Sequence, residues 1–185
     1  LSFDEIQRRD RLHFEGDRQA FTVCRAALRH RLAIELRCDP KTLTFHLSEY
    51  GKPSLPGTNI AFNVSHSKDL ALIALTRQST VGIDIEFQRP LPDLSAMAKR
   101  YFSVAEQEVL AALPHHQGRA GFFRCWSSKE AFIKAIGMGL SFPLDAFDVS
   151  VDLNEPCALI AVRDDRFDAE DWVLEEVCVA PEYAA

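Results

Sequence analysis

The sequence predicts an α+β fold divided into two halves, because helical and strand patterns occur in the same order twice along the chain. In each half a long helical pattern comes first, and short segments with strand-like alternation follow it. Pro90 and Pro92 interrupt the pattern between the halves, so the predicted division is 1–88 and 89–185. With 185 residues, of which 47% are hydrophobic, each half has enough apolar side chains for a long helix against a small antiparallel sheet.

The first half begins with a helix and a loop. From Asp17 onward, apolar residues recur at helical spacing, and Asp17 is a suitable N-cap. Residues 42–47 alternate as a strand does, and the glycine- and proline-rich stretch 50–57 (YGKPSLPG) predicts a loop.

Three short strands are predicted next, over 60–65, 70–76 and 80–86. Their connections are short and polar, so an antiparallel meander is the simplest arrangement. The first and third strands of a meander run in the same direction. We therefore expect Ser65 and His66 to lie near Asp84 and Glu86.

The second half predicts three helices and three strands. A helical pattern covers residues 94–101, and a second helix follows with Ser103 as N-cap and Glu106 at the capping-box position. A long helix is predicted over 119–136. Strands are predicted over 147–153, 157–163 and 172–179.

Composition and charge exclude several classes of protein. The net charge of −6 argues against nucleic acid as a partner, and no apolar run is long enough to span a membrane. The five cysteines are scattered without a CxxC pair, which favours a reducing cytoplasmic location over disulfides or zinc. Residues 1–31 hold seven arginines against five acids. This excess indicates either a local anion-binding surface or a solvated helix face.

Two carboxylates interrupt the apolar stretch VGIDIEF at 81–87. In a strand Asp84 and Glu86 share a face, with Cα atoms about 6.5–7 Å apart, so both can reach one ion. A hard divalent cation, Mg²⁺ before Ca²⁺, suits oxygen ligands. The alternative is a solvated face of an amphipathic strand.

The predicted helix over 122–136 carries a second polar group. Glu130 and Lys134 lie together at the rim of a wide apolar arc, whereas Lys129 falls inside it and needs an anionic partner. An ordinary i,i+4 ion pair with a snorkelling Lys129 is the alternative. With Asp84 and Glu86, Glu130 would complete a Mg²⁺ site of the kind used in phosphoryl-type transfer. No Walker A or kinase glycine-rich loop is present, and a Ser–His–Asp hydrolase has little support without a GxSxG motif.

Three motifs in this order, FNVSHS, VGIDIE and WSSKEAFIKAIGMGLSFPL, closely resemble those of the surfactin-type 4′-phosphopantetheinyl transferases. The resemblance runs from about residue 8 to residue 150. It implies a pseudo-dimeric α+β fold, sufficient as a monomer, with coenzyme A between the halves. It also implies Mg²⁺-dependent transfer of the 4′-phosphopantetheine arm of coenzyme A to a serine of an apo acyl or peptidyl carrier protein, releasing adenosine 3′,5′-bisphosphate.

The resemblance also implies roles for individual residues. Asp84, Glu86 and Glu130 match the Mg²⁺ ligands, and Lys134 matches the lysine on the pyrophosphate. The expected base is Glu130 or Glu106. The remaining expected contacts with coenzyme A are Arg8, Arg11, Tyr50, Gly51, Lys52, Pro53, Ser65, His66 and Lys129. Met138 departs from the lysine that is frequent in relatives. Two other activities stay open: a binding module without turnover, and a Mg²⁺-dependent phosphoesterase.

Overall fold

The structure is a computed structural model that describes residues 1–185, with five helices and eight short strands. The helices are α1 (Phe3–Asp10), α2 (Glu15–Leu36), α3 (Leu94–Tyr101), α4 (Val104–Ala112) and α5 (Gly118–Ile136). The strands are β1 (His46–Leu47), β2 (Pro53–Ser54), β3 (Ile60–Ser67), β4 (Leu70–Arg77), β5 (Glu86–Phe87), β6 (Phe147–Val149), β7 (Leu159–Val162) and β8 (Tyr183–Ala184). Short 3₁₀ helices cover Pro40–Thr42, Gly139–Ser141, Leu144–Ala146 and Ala169–Asp171.

The sheets are small and antiparallel: β1 pairs with β2, β3 with β4, β5 with β8, and β6 with β7. The β3–β4 hairpin is the longest, with eight residues in each strand. Successive side chains of a strand point to opposite faces. Accordingly Phe62 of β3 packs in the core with α2, whereas Ser65 bonds the segment 81–87 on the other face.

Two separate hydrophobic clusters stabilise the chain. The first joins Leu28 and Leu32 of α2 to Ile60 and Phe62 of β3. The second is rich in aromatic residues and is built around α5, and its buried members lie between residues 98 and 184. No helix is both long enough and apolar enough to cross a membrane.

The predicted third strand of the meander is wrong. Of residues 80–86 only Glu86 is in a strand, and β5 pairs with β8 rather than with β4. The segment is instead pressed against α5, since a Cβ on Gly82 would lie 2.0 Å from the carbonyl oxygen of Ala131. It follows β3 through side-chain bonds to its backbone, such as the Ile83 N–H donating to Asn63 Oδ1 at 3.0 Å.

The helix predictions for the second half are confirmed, and most strand predictions are too long. The predicted capping box is present, with the Ser103 N–H donating to Glu106 Oε2 at 2.9 Å. In the first half α1 was not predicted, and α2 begins at Glu15 rather than after Asp17. The strand predicted over 42–47 covers only 46–47, and the strand predicted over 147–153 covers only 147–149. The strand predicted over 157–163 covers only 159–162, and residues 172–179 are irregular.

Candidate functional site

Asp84, Ser65 and Lys134 form a hydrogen-bonded group between β3, the segment 81–87 and α5. Ser65 Oγ donates to Asp84 Oδ1 at 2.8 Å, and Lys134 Nζ lies 2.5 Å from the same oxygen. Lys134 Nζ also donates to Ser65 Oγ at 3.0 Å. The predicted proximity of Ser65 and Asp84 is confirmed, although side-chain bonds produce it rather than a sheet. The alternative of an ordinary i,i+4 ion pair between Glu130 and Lys134 is not what forms, because Lys134 pairs with Asp84.

Glu86 and Glu130 add negative charge beside this group. Burial, followed by the charge of Asp84, raises the pKa of both carboxyls, and Lys134 partly opposes the shift. Ser67 Oγ donates to Glu86 Oε2 at 3.2 Å and fixes that side chain. Asp84, Glu86 and Glu130 therefore lie within electrostatic range of Lys134, and Arg89 adds a second positive charge near Glu86.

The chemistry of these groups fits a hard divalent cation. The possible metal ligands are all carboxylate oxygens. One of them, Asp84 Oδ2, is buried with no hydrogen-bond partner. An unpartnered buried carboxylate oxygen is costly, and a bound cation would remove that cost. As the side chains stand, no three Asp, Glu, His or Cys residues converge as a metal cluster. The Mg²⁺ site at Asp84, Glu86 and Glu130 therefore stays a prediction.

A cavity of about 200 Å³ gathers several of the predicted coenzyme A contacts. Arg8, Gly51, Pro53 and His66 all line it. An adjoining cavity of about 500 Å³ shares Arg8 and Gly51 and adds Arg11. The structure thus brings the arginines of α1 and its C-terminal end together with the loop 50–57 and the end of β3.

Lys52 and Tyr50 are not part of that cavity. Lys52 Nζ donates to the carbonyl oxygen of Ala135 at 2.6 Å and to that of Val81 at 3.2 Å. Burial lowers the pKa of Lys52. Its ammonium therefore ties the C-terminal end of α5 to the segment 81–87, whereas the resemblance implies that Lys52 contacts coenzyme A. Tyr50 is 49% exposed and lines a neighbouring groove.

Glu106 and Lys129 lie in the second hydrophobic cluster rather than beside Asp84, Glu86 and Glu130. Lys129 is fully buried, and its Nζ lies 2.7 Å from Glu106 Oε1. It also donates to the carbonyl oxygens of Leu144 and Phe147 at 2.7 Å each. Glu106 is 2% exposed and accepts from the Val149 N–H at 2.8 Å. Lys129 uses all three of its ammonium donors and Glu106 accepts three hydrogen bonds inside this core, which favours a structural role for the pair over a contact with coenzyme A or with the serine proton.

Comparison with known proteins decides the family. Residues 80–183 match the family model of the 4′-phosphopantetheinyl transferase superfamily. The chain is 39% identical over 163 residues to the 4′-phosphopantetheinyl transferase HetI of Nostoc sp., covering 86% of this chain and 68% of that one. It is 35% identical over 153 residues to the 4′-phosphopantetheinyl transferase Sfp of Bacillus subtilis, covering 80% and 67%. The chain belongs to the 4′-phosphopantetheinyl transferase superfamily.

Membership of the 4′-phosphopantetheinyl transferase superfamily places the chain among transferases. A solved structure, the holo-[acyl-carrier-protein] synthase of Thermotoga maritima, aligns with 45% of this chain and 46% of that one, at 24% identity and a TM-score of 0.36. That similarity is too low to support any detail of the site. The contacts above come from the side chains of this chain alone.

Two residues of the candidate site in this chain were not predicted from the sequence. Ser67, which holds Glu86, is two residues after Ser65 on the same face of β3, so strand alternation could have found it. Arg25 lines both cavities that contain Arg8. In the sequence it is one of seven arginines in residues 1–31, and only the position one turn after Phe21 distinguishes it.

Proposed function

We propose that this protein transfers the 4′-phosphopantetheine arm of coenzyme A to a serine of an apo acyl or peptidyl carrier protein, with Mg²⁺, releasing adenosine 3′,5′-bisphosphate. The observation that carries the proposal is the buried Asp84, bonded to Lys134 and Ser65 and flanked by two further carboxylates. In a chain of this superfamily, such a group can hold a metal-bound diphosphate. The cavity at Arg8 and His66 supplies a second anion-binding place nearby.

Asp84, Glu86 and Glu130 would hold the Mg²⁺, which when bound neutralises the pyrophosphate and makes its phosphorus easier to attack. Lys134 is the cation that this chain itself provides. Its side chain is 27% exposed, so the ammonium can turn from Asp84 toward a phosphate oxygen. Ser65 holds Asp84 in place while Lys134 moves.

The transfer needs a base for the carrier serine, and Glu130 is the proposed one. It is only half-buried, so the carrier serine can approach its carboxylate. The serine oxygen forms a bond to the phosphorus that carries pantetheine, and its proton passes to Glu130. The phosphorus–oxygen bond to the adenosine side breaks, and its electron pair leaves on the bisphosphate. Lys134 stabilises that growing charge.

The wider arrangement follows from the same proposal. The two hydrophobic clusters support a division into two halves at residues 88 and 89, whereas the approximate twofold and the monomer rest on the resemblance alone. The five free cysteines, of which Cys38 and Cys178 are exposed, support a reducing cytoplasmic location. Gel filtration with light scattering tests the monomer.

The function is tested by incubating the protein with coenzyme A, Mg²⁺ and a panel of apo carriers, and by measuring the mass of each carrier by mass spectrometry. We expect the carrier to gain one phosphopantetheine, chelation of Mg²⁺ to stop the gain, and Asp84→Asn to slow it about 100-fold or more. Asp69→Asn, an exposed acid in the β3–β4 turn, is the matched control and should leave the rate unchanged.

An Asp84→Asn variant as fast as the parent would contradict the assigned site. Release of bisphosphate without a carrier would instead indicate a phosphoesterase. Calorimetric binding of coenzyme A with no transfer to any carrier would indicate a binding module.

A further inference from the structure

Ser67, the last residue of β3, makes two hydrogen bonds with β5. Its Oγ accepts from the Phe87 N–H at 3.0 Å and donates to Glu86 Oε2 at 3.2 Å. A serine hydroxyl has a single proton to donate. Because the Phe87 N–H approaches the oxygen as a donor, the hydroxyl proton is directed at Glu86, and the hydroxyl has one defined orientation.

The backbone is held on both sides of this contact. Ser67 pairs with Leu70 across the β3–β4 hairpin, and Glu86 pairs with Ala184 of β8. A glutamate side chain can still rotate about its own bonds when its backbone is fixed. The hydroxyl of Ser67 therefore decides where the carboxylate of Glu86 points and which of its two oxygens is occupied.

Asp84 and Glu86 show the same pattern of one occupied and one free oxygen. Ser65, on the same face of β3 as Ser67, donates to Asp84 Oδ1, which also pairs with Lys134, whereas Asp84 Oδ2 has no hydrogen-bond partner. At Glu86, Oε2 accepts from Ser67, and Oε1 accepts no hydrogen bond within the protein. Each carboxylate thus offers one free oxygen to a cation.

The number of free carboxylate oxygens bears on which cation binds. Mg²⁺ is small, keeps octahedral geometry, and is usually held by one or two carboxylates together with water and phosphate oxygens. Ca²⁺ is larger, takes about six to eight oxygen ligands, and often binds both oxygens of one carboxylate. Two carboxylates with one free oxygen each suit Mg²⁺. A Glu86 with both oxygens free would suit Ca²⁺ better.

We propose that Ser67 occupies Glu86 Oε2, limits Glu86 to one metal-binding oxygen, and thereby makes the site select Mg²⁺ over Ca²⁺. The inference rests on the proposed function for Glu86 as a metal ligand, and on Ser67 itself for the selectivity. Ser67 acts through Glu86 and is a positioning residue. A hydroxyl that only stabilised the fold would affect the binding of both ions equally, so the ratio of the two affinities distinguishes the roles.

The test measures how Mg²⁺ and Ca²⁺ displace bound Mn²⁺, with coenzyme A present and no carrier. The free Mn²⁺ is followed by its electron paramagnetic resonance signal, and coenzyme A without protein is the blank. Mg²⁺ should release Mn²⁺ from the parent at an about 10-fold lower concentration than Ca²⁺ does. Ser67→Ala frees Oε2 and should remove most of that difference, chiefly because Ca²⁺ binds more tightly.

Four further variants sharpen the test. Ser67→Thr keeps the hydroxyl and should keep the preference. Ser67→Cys keeps a weak donor of similar size, so it should lose a smaller part of the preference and replaces an Ala variant that does not fold. Ser79→Ala removes an exposed hydroxyl that bonds only Thr76, and it should match the parent. In a Glu86→Gln background the side chain has one oxygen in any case, so Ser67→Ala should then leave the preference unchanged.

The outcomes separate the selectivity from the function. A parent that does not prefer Mg²⁺, or Ala and Cys variants that keep the full preference or weaken both ions equally, overturns the assignment. So does a Ser67→Ala effect of the same size in the Glu86→Gln background. Normal transfer to a carrier by the parent together with any of these results leaves the proposed function intact and removes only the role of Ser67. The expected ion preferences in a parent that transfers to no carrier would leave that role intact and refute the function.

Discussion

Replacing Glu106 by Gln should destabilise the protein without stopping the transfer. Gln removes the negative charge that lies 2.7 Å from Lys129 Nζ and leaves that ammonium with neutral oxygen acceptors only. Lys129 has no exposed surface, so water cannot replace the lost partner. Breaking one side of a buried ion pair costs about 3–5 kcal/mol. For a chain of this size that corresponds to a fall in Tm of about 6–20 °C.

The assay combines urea and thermal unfolding with the transfer rate per folded molecule. Glu108→Gln, an exposed acid on the same helix, is the matched control and should change neither. Adding Lys129→Met to Glu106→Gln removes the unpaired ammonium and should recover part of the lost stability. If Glu106→Gln keeps the parent Tm but slows transfer about 10²–10⁴-fold, Glu106 is the base and its structural role is refuted.

Two further substitutions test how the segment 81–87 is held. Gly82→Ala places a methyl 2.0 Å from the Ala131 carbonyl oxygen, so we expect the free energy of unfolding in urea to fall by about 1–3 kcal/mol or more. Gly16→Ala, in open space, is the control and should be neutral or stabilising. Equal stability of the two variants would contradict the close approach of the segment 81–87 to α5. Lys52→Met removes the bond to the Ala135 carbonyl oxygen, so it should lower the free energy of unfolding by about 1–3 kcal/mol with little change in the KM for coenzyme A. A KM raised tenfold at an unchanged Tm would show instead that Lys52 binds phosphate.

Local signals predicted the helices of the second half because their ends are decided by neighbouring residues. The capping box of Ser103 and Glu106 needs only the backbone of one turn, and it forms as expected. The apolar period of α5 likewise places Lys129 inside the core, which is where it lies. The sequence indicated that Lys129 needs an acidic partner, but several acids could fill that place.

Contacts between distant segments could not be predicted in this way. VGIDIE reads as a strand because it is apolar and β-branched, yet its conformation is decided by Gly82 packing on the backbone of α5. Glu106 shows a second limit, since one carboxylate forms the capping box, bonds Val149 and pairs with Lys129. Only the first of these roles follows from the local sequence, because the other two join segments that lie far apart along the chain.

The helix α5 carries both Lys129 of the buried Glu106–Lys129 pair and the two residues, Glu130 and Lys134, that lie beside Asp84. Lys129 and Glu130 are neighbours on α5, and a helix turns by about 100° per residue, so one faces the second core while the other reaches the carboxylate group. The three acceptors of Lys129 lie at 2.7 Å each, and only one rotation of α5 satisfies all of them. That same rotation directs Lys134 at Asp84. A buried ion pair is weak support for stability but can fix one arrangement among several. Under the proposed function, the arrangement that it fixes is the one that presents Glu130 and Lys134 to the substrate.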